Sequence, residues 1–229
     1  MTAPKRERTL MLLGGHEWQA AAATADRWWL RRAREPSVLV LTSAAQDIPE
    51  TQVAWAKSHF QELGAQVEGC LIQSPADARN PLHLRQLRRA AAVYLCGGDP
   101  GAAREVLARS PAARVLRAIY RQGVPVAGSS AGAMVLSRSC LLPGSGFALD
   151  LGVGLARQVV VPHWNSVGPS WRAAASRLAR RHLVVGVDEA TGLCWDGEGW
   201  SVRGPGQVVV ISADGPRALA EAALAPPLE

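Results

Sequence analysis

Two runs of small residues concentrate the chemistry this chain could perform. In Val124-Pro125-Val126-Ala127-Gly128-Ser129-Ser130-Ala131-Gly132-Ala133-Met134 a strand-forming stretch runs straight into Gly-x-Ser-x-Gly and then into helix formers. That is the setting of a nucleophile elbow: a sharp strand-to-helix turn lifts the central serine above the sheet edge, and the flanking glycines lack Cβ atoms that would collide as strand and helix approach. Ser130 is the expected nucleophile. The amide of Ala131, at the start of the following helix, can stabilise negative charge developing on a substrate oxygen. The second run, Val93-Tyr94-Leu95-Cys96-Gly97-Gly98-Asp99-Pro100, leaves a strand through two glycines into a helix. Its Gly98 and Asp99 amides are the candidates to complete an oxyanion hole.

A hydrolytic serine needs a base. Of the five histidines, His163 closes the run Val159-Val160-Val161-Pro162, at the carboxyl edge where catalytic groups of open α/β sheets gather. His16 also follows a strand and is the reserve candidate, whereas His59, His83 and His182 fall within or beside helices. The imidazole in turn needs an acceptor that fixes its tautomer. Val184-Val185-Gly186-Val187-Asp188-Glu189-Ala190-Thr191 delivers two carboxylates at the end of the next strand, and on spacing alone either serves. The elbow carries serine rather than the cysteine a glutamine amidotransferase needs for its thioester, and Cys140 lies too far along to substitute.

Positioning these groups requires a particular frame. Short β-branched or leucine-rich runs at 10–13, 38–41, 67–72, 92–95, 124–127, 158–161 and 184–187 alternate with helical stretches at 18–34, 50–63, 82–89, 102–122 (broken near Pro111), 131–136 and 171–181. This alternation predicts an α/β fold, a three-layer, doubly wound, mostly parallel sheet. Beyond Val187 the texture changes to short strands joined by Gly-containing turns, which predicts a small antiparallel C-terminal appendage. The chain reads as one domain over residues 1–229, with residues 1–8 and 220–229 loose.

Composition narrows the function classes. A length of 229 residues with 48% hydrophobic content supports a core without crosslinks or metals. The net charge of +6 is carried by arginines spread along helices such as 27–34 and 85–89, a pattern of solvated faces rather than of nucleic-acid binding. Four cysteines without a CxxC pair suggest buried reduced thiols, and no run approaches the length of a membrane span. The expectations are a cytoplasmic protein with no metal or cofactor, no nucleic-acid or membrane partner, a small peptide as substrate, and a monomeric or homodimeric state.

Together these motifs resemble, in order along most of the chain, the serine peptidases that include dipeptidase E and cyanophycinase, within the class I glutamine amidotransferase-like fold. Leu12-Leu13-Gly14-Gly15 is similar to the family's opening strand and glycine pair. Gly97-Gly98-Asp99 resembles its oxyanion loop, and Gly128-Ser129-Ser130-Ala131-Gly132-Ala133 its Gly-Thr-Ser-Ala-Gly-Ala nucleophile signature. Val161-Pro162-His163-Trp164 and Gly186-Val187-Asp188-Glu189-Ala190-Thr191 resemble its catalytic histidine and glutamate segments. The resemblance implies a Ser130–His163–Glu189 triad, favouring Glu189 over Asp188, and hydrolysis of aspartyl or isoaspartyl dipeptides. Ala174 stands where the family carries a substrate arginine, so Arg172 or Arg177 is expected to supply the charge, and Trp164 to line the substrate site. An esterase or amidase of the same fold is the alternative, since a triad does not dictate the leaving group; a non-catalytic binding domain is the third reading.

Overall fold

The computed structural model describes residues 7–144 and 146–219. Its first half runs β1 (Leu10–Leu13), α1 (Ala23–Leu30), β2 (Ser37–Leu41), α2 (Pro49–Glu62), β3 (Gln66–Cys70), α3 (Pro81–Arg89), β4 (Val93–Leu95), α4 (Pro100–Leu107) and α5 (Pro111–Arg121). There follow β5 (Val126–Ser129), α6 (Ala131–Leu136), β6 (Ser139–Leu142), β7 (Ala148–Leu151), β8 (Val159–Val161), α7 (Pro169–Leu178) and β9 (Val184–Val187). The chain closes with β10 (Gly192–Trp195), β11 (Trp200–Arg203), β12 (Val208–Ser212) and β13 (Gly215–Ala218).

The main sheet has the order β11-β10-β1-β5-β4-β2-β3, parallel from β1 to β3, with β10 and β11 added antiparallel. Alternate side chains of one strand point to opposite faces, and here both faces are covered. Leu10 and Leu12 enter one core with Leu39, Leu41 and helices α4 to α6; Met11 and Leu13 enter the other with Val38, Val40 and helices α1 and α2. This is the expected three-layer, doubly wound arrangement with an antiparallel appendage. Several helices start as their sequences dictate: Asn80, Ser110 and Asp99 each accept a backbone N–H in the first turn, and each is followed by proline. Ser110 caps α5 at the break expected near Pro111, and Asp99 starts α4 two residues ahead of the expected stretch.

Three features depart from the sequence reading. Strands β8 and β9 do not extend the main sheet; they pair parallel with each other in a second sheet of order β13-β12-β9-β8, because β10 already occupies the free edge of β1. Residues 139–142 and 148–151 pair antiparallel as β6 and β7, where the sequence reading placed no strand. The helix expected from Trp18 begins only at Ala23, since His16 and Trp18 hold left-handed φ values of 58° and 65°. Trp18 instead packs on Tyr94 and Phe60 and donates its indole N–H to Gln52 at 2.7 Å. The expectation of loose ends falls on residues 1–6 and 220–229, outside the described residues, apart from Glu7 and Arg8. No helix among the described residues is long and apolar enough to cross a membrane.

Candidate active site

Three parallel neighbours, β1, β5 and β4, end side by side, and each opens into a glycine-containing turn at its carboxyl end. After β5 the chain turns into α6 at Ser130, whose φ of 49° and ψ of −115° are those of a strained elbow. The turn exists because its flanking residues are glycines. A Cβ on Gly128 would stand 2.6 Å from the Gly132 backbone, and one on Gly132 would collide with the Leu95 carbonyl at the end of β4. Ser130 is partly exposed, whereas Ser129 is fully buried with its hydroxyl turned the other way.

The second sheet meets this edge through backbone bonds. His163 donates its N–H to the Gly14 carbonyl at 2.7 Å, Gly14 donates to Thr191 at 2.9 Å, and Ala190 donates to Gly15 at 2.8 Å. Gly15, at φ +115°, lies so close to the His163 imidazole that any side chain there would overlap the ring. The glycine pair after β1 thus makes room for the histidine. Of the seven non-glycine residues with positive φ among the described residues, five, namely His16, Trp18, Ser130, His163 and Ala190, stand in or beside these turns. Strain concentrates where side chains must be aimed.

The result is a continuous chain of hydrogen bonds. Ser130 Oγ lies 2.9 Å from His163 Nε2, and His163 Nδ1 lies 3.0 Å from Glu189 Oε1. Glu189 also accepts the Ser166 hydroxyl at 2.8 Å and the Asn165 amide at 3.2 Å. The Ser166 hydroxyl foremost, then His163 and Asn165, hold its carboxyl below the usual range against the opposing effect of burial. The other carboxylate faces away: Asp188 accepts the Gln207 N–H at 2.8 Å and pins a turn. His16, the reserve base, is exposed and stands 3.5 Å from Glu189 Oε1. Among the described residues, His16, His163 and Glu189 are the one group close enough to share a metal ion.

The loop Gly97-Gly98-Asp99, the expected oxyanion loop, differs from expectation in one respect. The Asp99 amide is already taken, donating to the Ala44 carbonyl at 2.8 Å, while its carboxylate caps α4 through Ala102 at 2.7 Å. Asp99 is therefore a structural residue of the loop, and the amides of Gly98 and Ala131 remain available.

Beside Ser130 and His163 opens a cavity of about 680 Å³, walled by Trp18, Gln52, Trp55, Ser58 and Glu62 from the post-β1 loop and α2. The residues expected to bind substrate do not line it. Trp164 is buried against Gly186, whose missing side chain leaves space for its ring. The Arg172 guanidinium stacks 4.4 Å over that ring and donates to the Trp164 carbonyl, and Arg177 donates to Gly146 at 3.2 Å. What the sequence reading missed is the contribution of α2, whose residues 52, 55, 59 and 62 share one helical face toward the cavity, and of Glu17. An exposed Trp55 in a helical pattern was the available signal. All four cysteines are buried; burial pushes the Cys70 and Cys140 thiols up to about 12 and raises those of Cys96 and Cys194 further.

The match to a family model over most of its length makes the chain a serine-type peptidase. The chain belongs to peptidase family S51, whose family model matches residues 10–202. No curated protein sequence matches it. Among solved structures it is similar to a peptidase from an acI-B1 Actinobacterium, with a TM-score of 0.82 at 24% identity over 95% of this chain and 96% of that one. It is also similar to a protein assigned to peptidase E from Listeria monocytogenes EGD-e, with a TM-score of 0.67 at 16% identity over 87% of this chain and all of the other.

Proposed function

We propose that this chain hydrolyses small peptides through Ser130, His163 and Glu189. The observation that supports this reading is the unbroken hydrogen-bonded chain from Ser130 Oγ through both imidazole nitrogens to Glu189. Ser130 Oγ attacks the scissile carbonyl as its proton passes to His163 Nε2. The tetrahedral oxyanion is held by the amides of Gly98 and Ala131, and His163 then gives its proton to the departing amine. Water, deprotonated by the same imidazole, releases the acyl group. Glu189 keeps Nδ1 protonated and stabilises the imidazolium.

The cavity has the size of a small-ligand site, typically about 300–1,000 Å³. Its lining contains Glu17 and Glu62 but neither lysine nor arginine, and Arg172 and Arg177 are engaged elsewhere. Among the described residues an aspartyl or isoaspartyl group would meet two carboxylates and no lysine or arginine there, so we assign to this cavity a neutral or apolar side chain against Trp18 and Trp55. The test compares kcat/KM for Asp-Leu, Ala-Leu and Leu-Leu, with an aryl ester alongside. We expect Leu-Leu to be at least as good a substrate as Asp-Leu. A marked preference for Asp-Leu would overturn the specificity, and cleavage of the ester alone would overturn the peptidase reading.

A further inference from the structure

Glu17 lies at the junction of the turns after β1, β4 and β5, and the proposed reaction gives it no role. One carboxylate oxygen accepts the Gly97 N–H at 2.6 Å, and the other accepts the Ser129 hydroxyl at 2.6 Å. A carboxylate is acceptor only, so two converging donors match both of its oxygens, and charge-assisted bonds of this kind are about twice as strong as neutral ones. The packing is equally specific. Gly97 is buried, and a Cβ there would stand 2.6 Å from Glu17 Oε1 and 3.3 Å from Ser130 Cβ. Glu17, the oxyanion loop and the nucleophile therefore meet in a single contact that only glycine permits.

The loop is pinned on both sides of Gly98. Gly97 N–H is held by Glu17, Asp99 N–H is held by Ala44, and Gly98, at φ +140°, packs against the Ala44 carbonyl. Among the described residues no acceptor takes the Gly98 N–H, which is left exposed at the cavity. On the other side, the Ser129 hydroxyl anchors the residue next to the nucleophile. We infer that Glu17 is a positioning residue: its carboxylate clamps the Gly97–Gly98 loop to the Ser129–Ser130 turn, fixing the Gly98 amide relative to Ser130 Oγ. The inference rests on the roles proposed above for Ser130 and Gly98. A donor set held to a fraction of an ångström is what makes an oxyanion hole effective, since its dipoles then need no reorganisation as charge develops.

The test combines Glu17→Ala, Glu17→Gln and Glu17→Asp with three readouts. The first is steady-state kinetics. The second is the rate at which a fluorophosphonate forms its Ser130 Oγ–phosphorus bond with loss of fluoride. The third is hydrogen exchange at the Gly97 amide. Loss of one oxyanion donor typically lowers kcat by about 10²- to 10³-fold, and Glu17→Ala should approach that loss in kcat and in labelling rate with KM changed less than threefold. The glutamine oxygen can accept from Gly97 while its NH₂ donates to a rotated Ser129 hydroxyl, so Glu17→Gln should recover to within about tenfold of the parent. Aspartate, one methylene shorter, should keep one contact and fall between them. Gly97 exchange should accelerate in Glu17→Ala. Unchanged kcat and labelling in Glu17→Ala, or Glu17→Gln as impaired as Glu17→Ala, overturns the clamp. If Glu17→Ala fails to fold, the order of the parent, Glu17→Gln and Glu17→Asp decides. If the parent neither cleaves peptides nor reacts with the probe, the peptidase reading fails by itself. Exchange at Gly97, slow in the parent and in Glu17→Gln and fast in Glu17→Ala, then still decides the clamp.

Discussion

Two histidine–carboxylate pairs among the described residues, His59–Asp26 and His163–Glu189, invite comparison, since both imidazoles line the same cavity. His59 Nε2 meets Asp26 Oδ2 at 2.7 Å with side-chain exposures of 4% and 0%, while His163 Nδ1 meets Glu189 at 3.0 Å with exposures of 35% and 19%. The shorter, more buried pair looks the stronger, yet it has none of the features that make a base. Among the described residues no serine hydroxyl bonds its imidazole, and the second Asp26 oxygen has no hydrogen-bond partner. Burial, the largest effect on it, holds the Asp26 carboxyl above its usual range, whereas three donors hold Glu189 below. His59 and Asp26 join α2 to α1 beneath Trp18. His163 and Glu189 stand at the seam of two sheets, with the Ser130 hydroxyl on one side and polar donors on the other. What distinguishes the two pairs, and carries the role proposed for His163, is their surroundings, not the contact between their members.

Substitutions can break this contrast. The largest effect should come from Ser130→Ala, which the elbow accommodates sterically: kcat should fall by about 10⁶-fold with the thermal midpoint nearly unchanged. Loss of fluorophosphonate labelling in this variant checks the assignment. Labelling retained at Ser129 would refute it, since that hydroxyl is buried and held by Glu17.

Next, Glu189→Gln should lower kcat by about 10⁴-fold through loss of the tautomer-fixing acceptor, and Asp188→Asn by less than tenfold. Comparable losses in the two variants would mean that the carboxylate facing His163 has no special part. The buried pair should respond in the opposite currency. Removing one partner of a buried pair costs about 3 to 5 kcal/mol, so Asp26→Ala should lower stability by that order in denaturant titrations while kcat changes less than tenfold. A loss of turnover without a loss of stability would place Asp26 in the reaction.

The smallest effect is a pH shift. Because its folded-state value is lowered, Glu189 contributes stability that is present above the ordinary carboxylate range and is lost as pH falls through the lower folded value. Ser166→Ala removes the largest lowering contribution, so the loss should begin at a higher pH and the acid-unfolding midpoint should move upward. Circular dichroism against pH measures it, and an unmoved midpoint would show that Ser166 does not tune Glu189.

Local sequence was enough to place the elbow, because Gly128 and Gly132 are required by contacts within one strand–turn–helix unit and with the adjacent strand. It also placed His163 and Glu189 at strand ends, since β-branched runs stop visibly at Pro162 and Asp188. Spacing alone left Asp188 and Glu189 equal, and only the resemblance favoured Glu189, because two adjacent residues differ in which way the backbone at a strand end points them. Nor could it show that Asp99 spends its amide on Ala44, that Arg172 lies on Trp164, or that one face of α2 builds the cavity. Each of these depends on segments tens of residues apart meeting in space. The same holds for Glu17, which touches Gly97 and Ser129 across separations of 80 and 112 residues. Short-range sterics are written in neighbouring residue types, whereas the partner of a side chain is chosen by the packing of the two sheets, and only the tertiary structure carries that information.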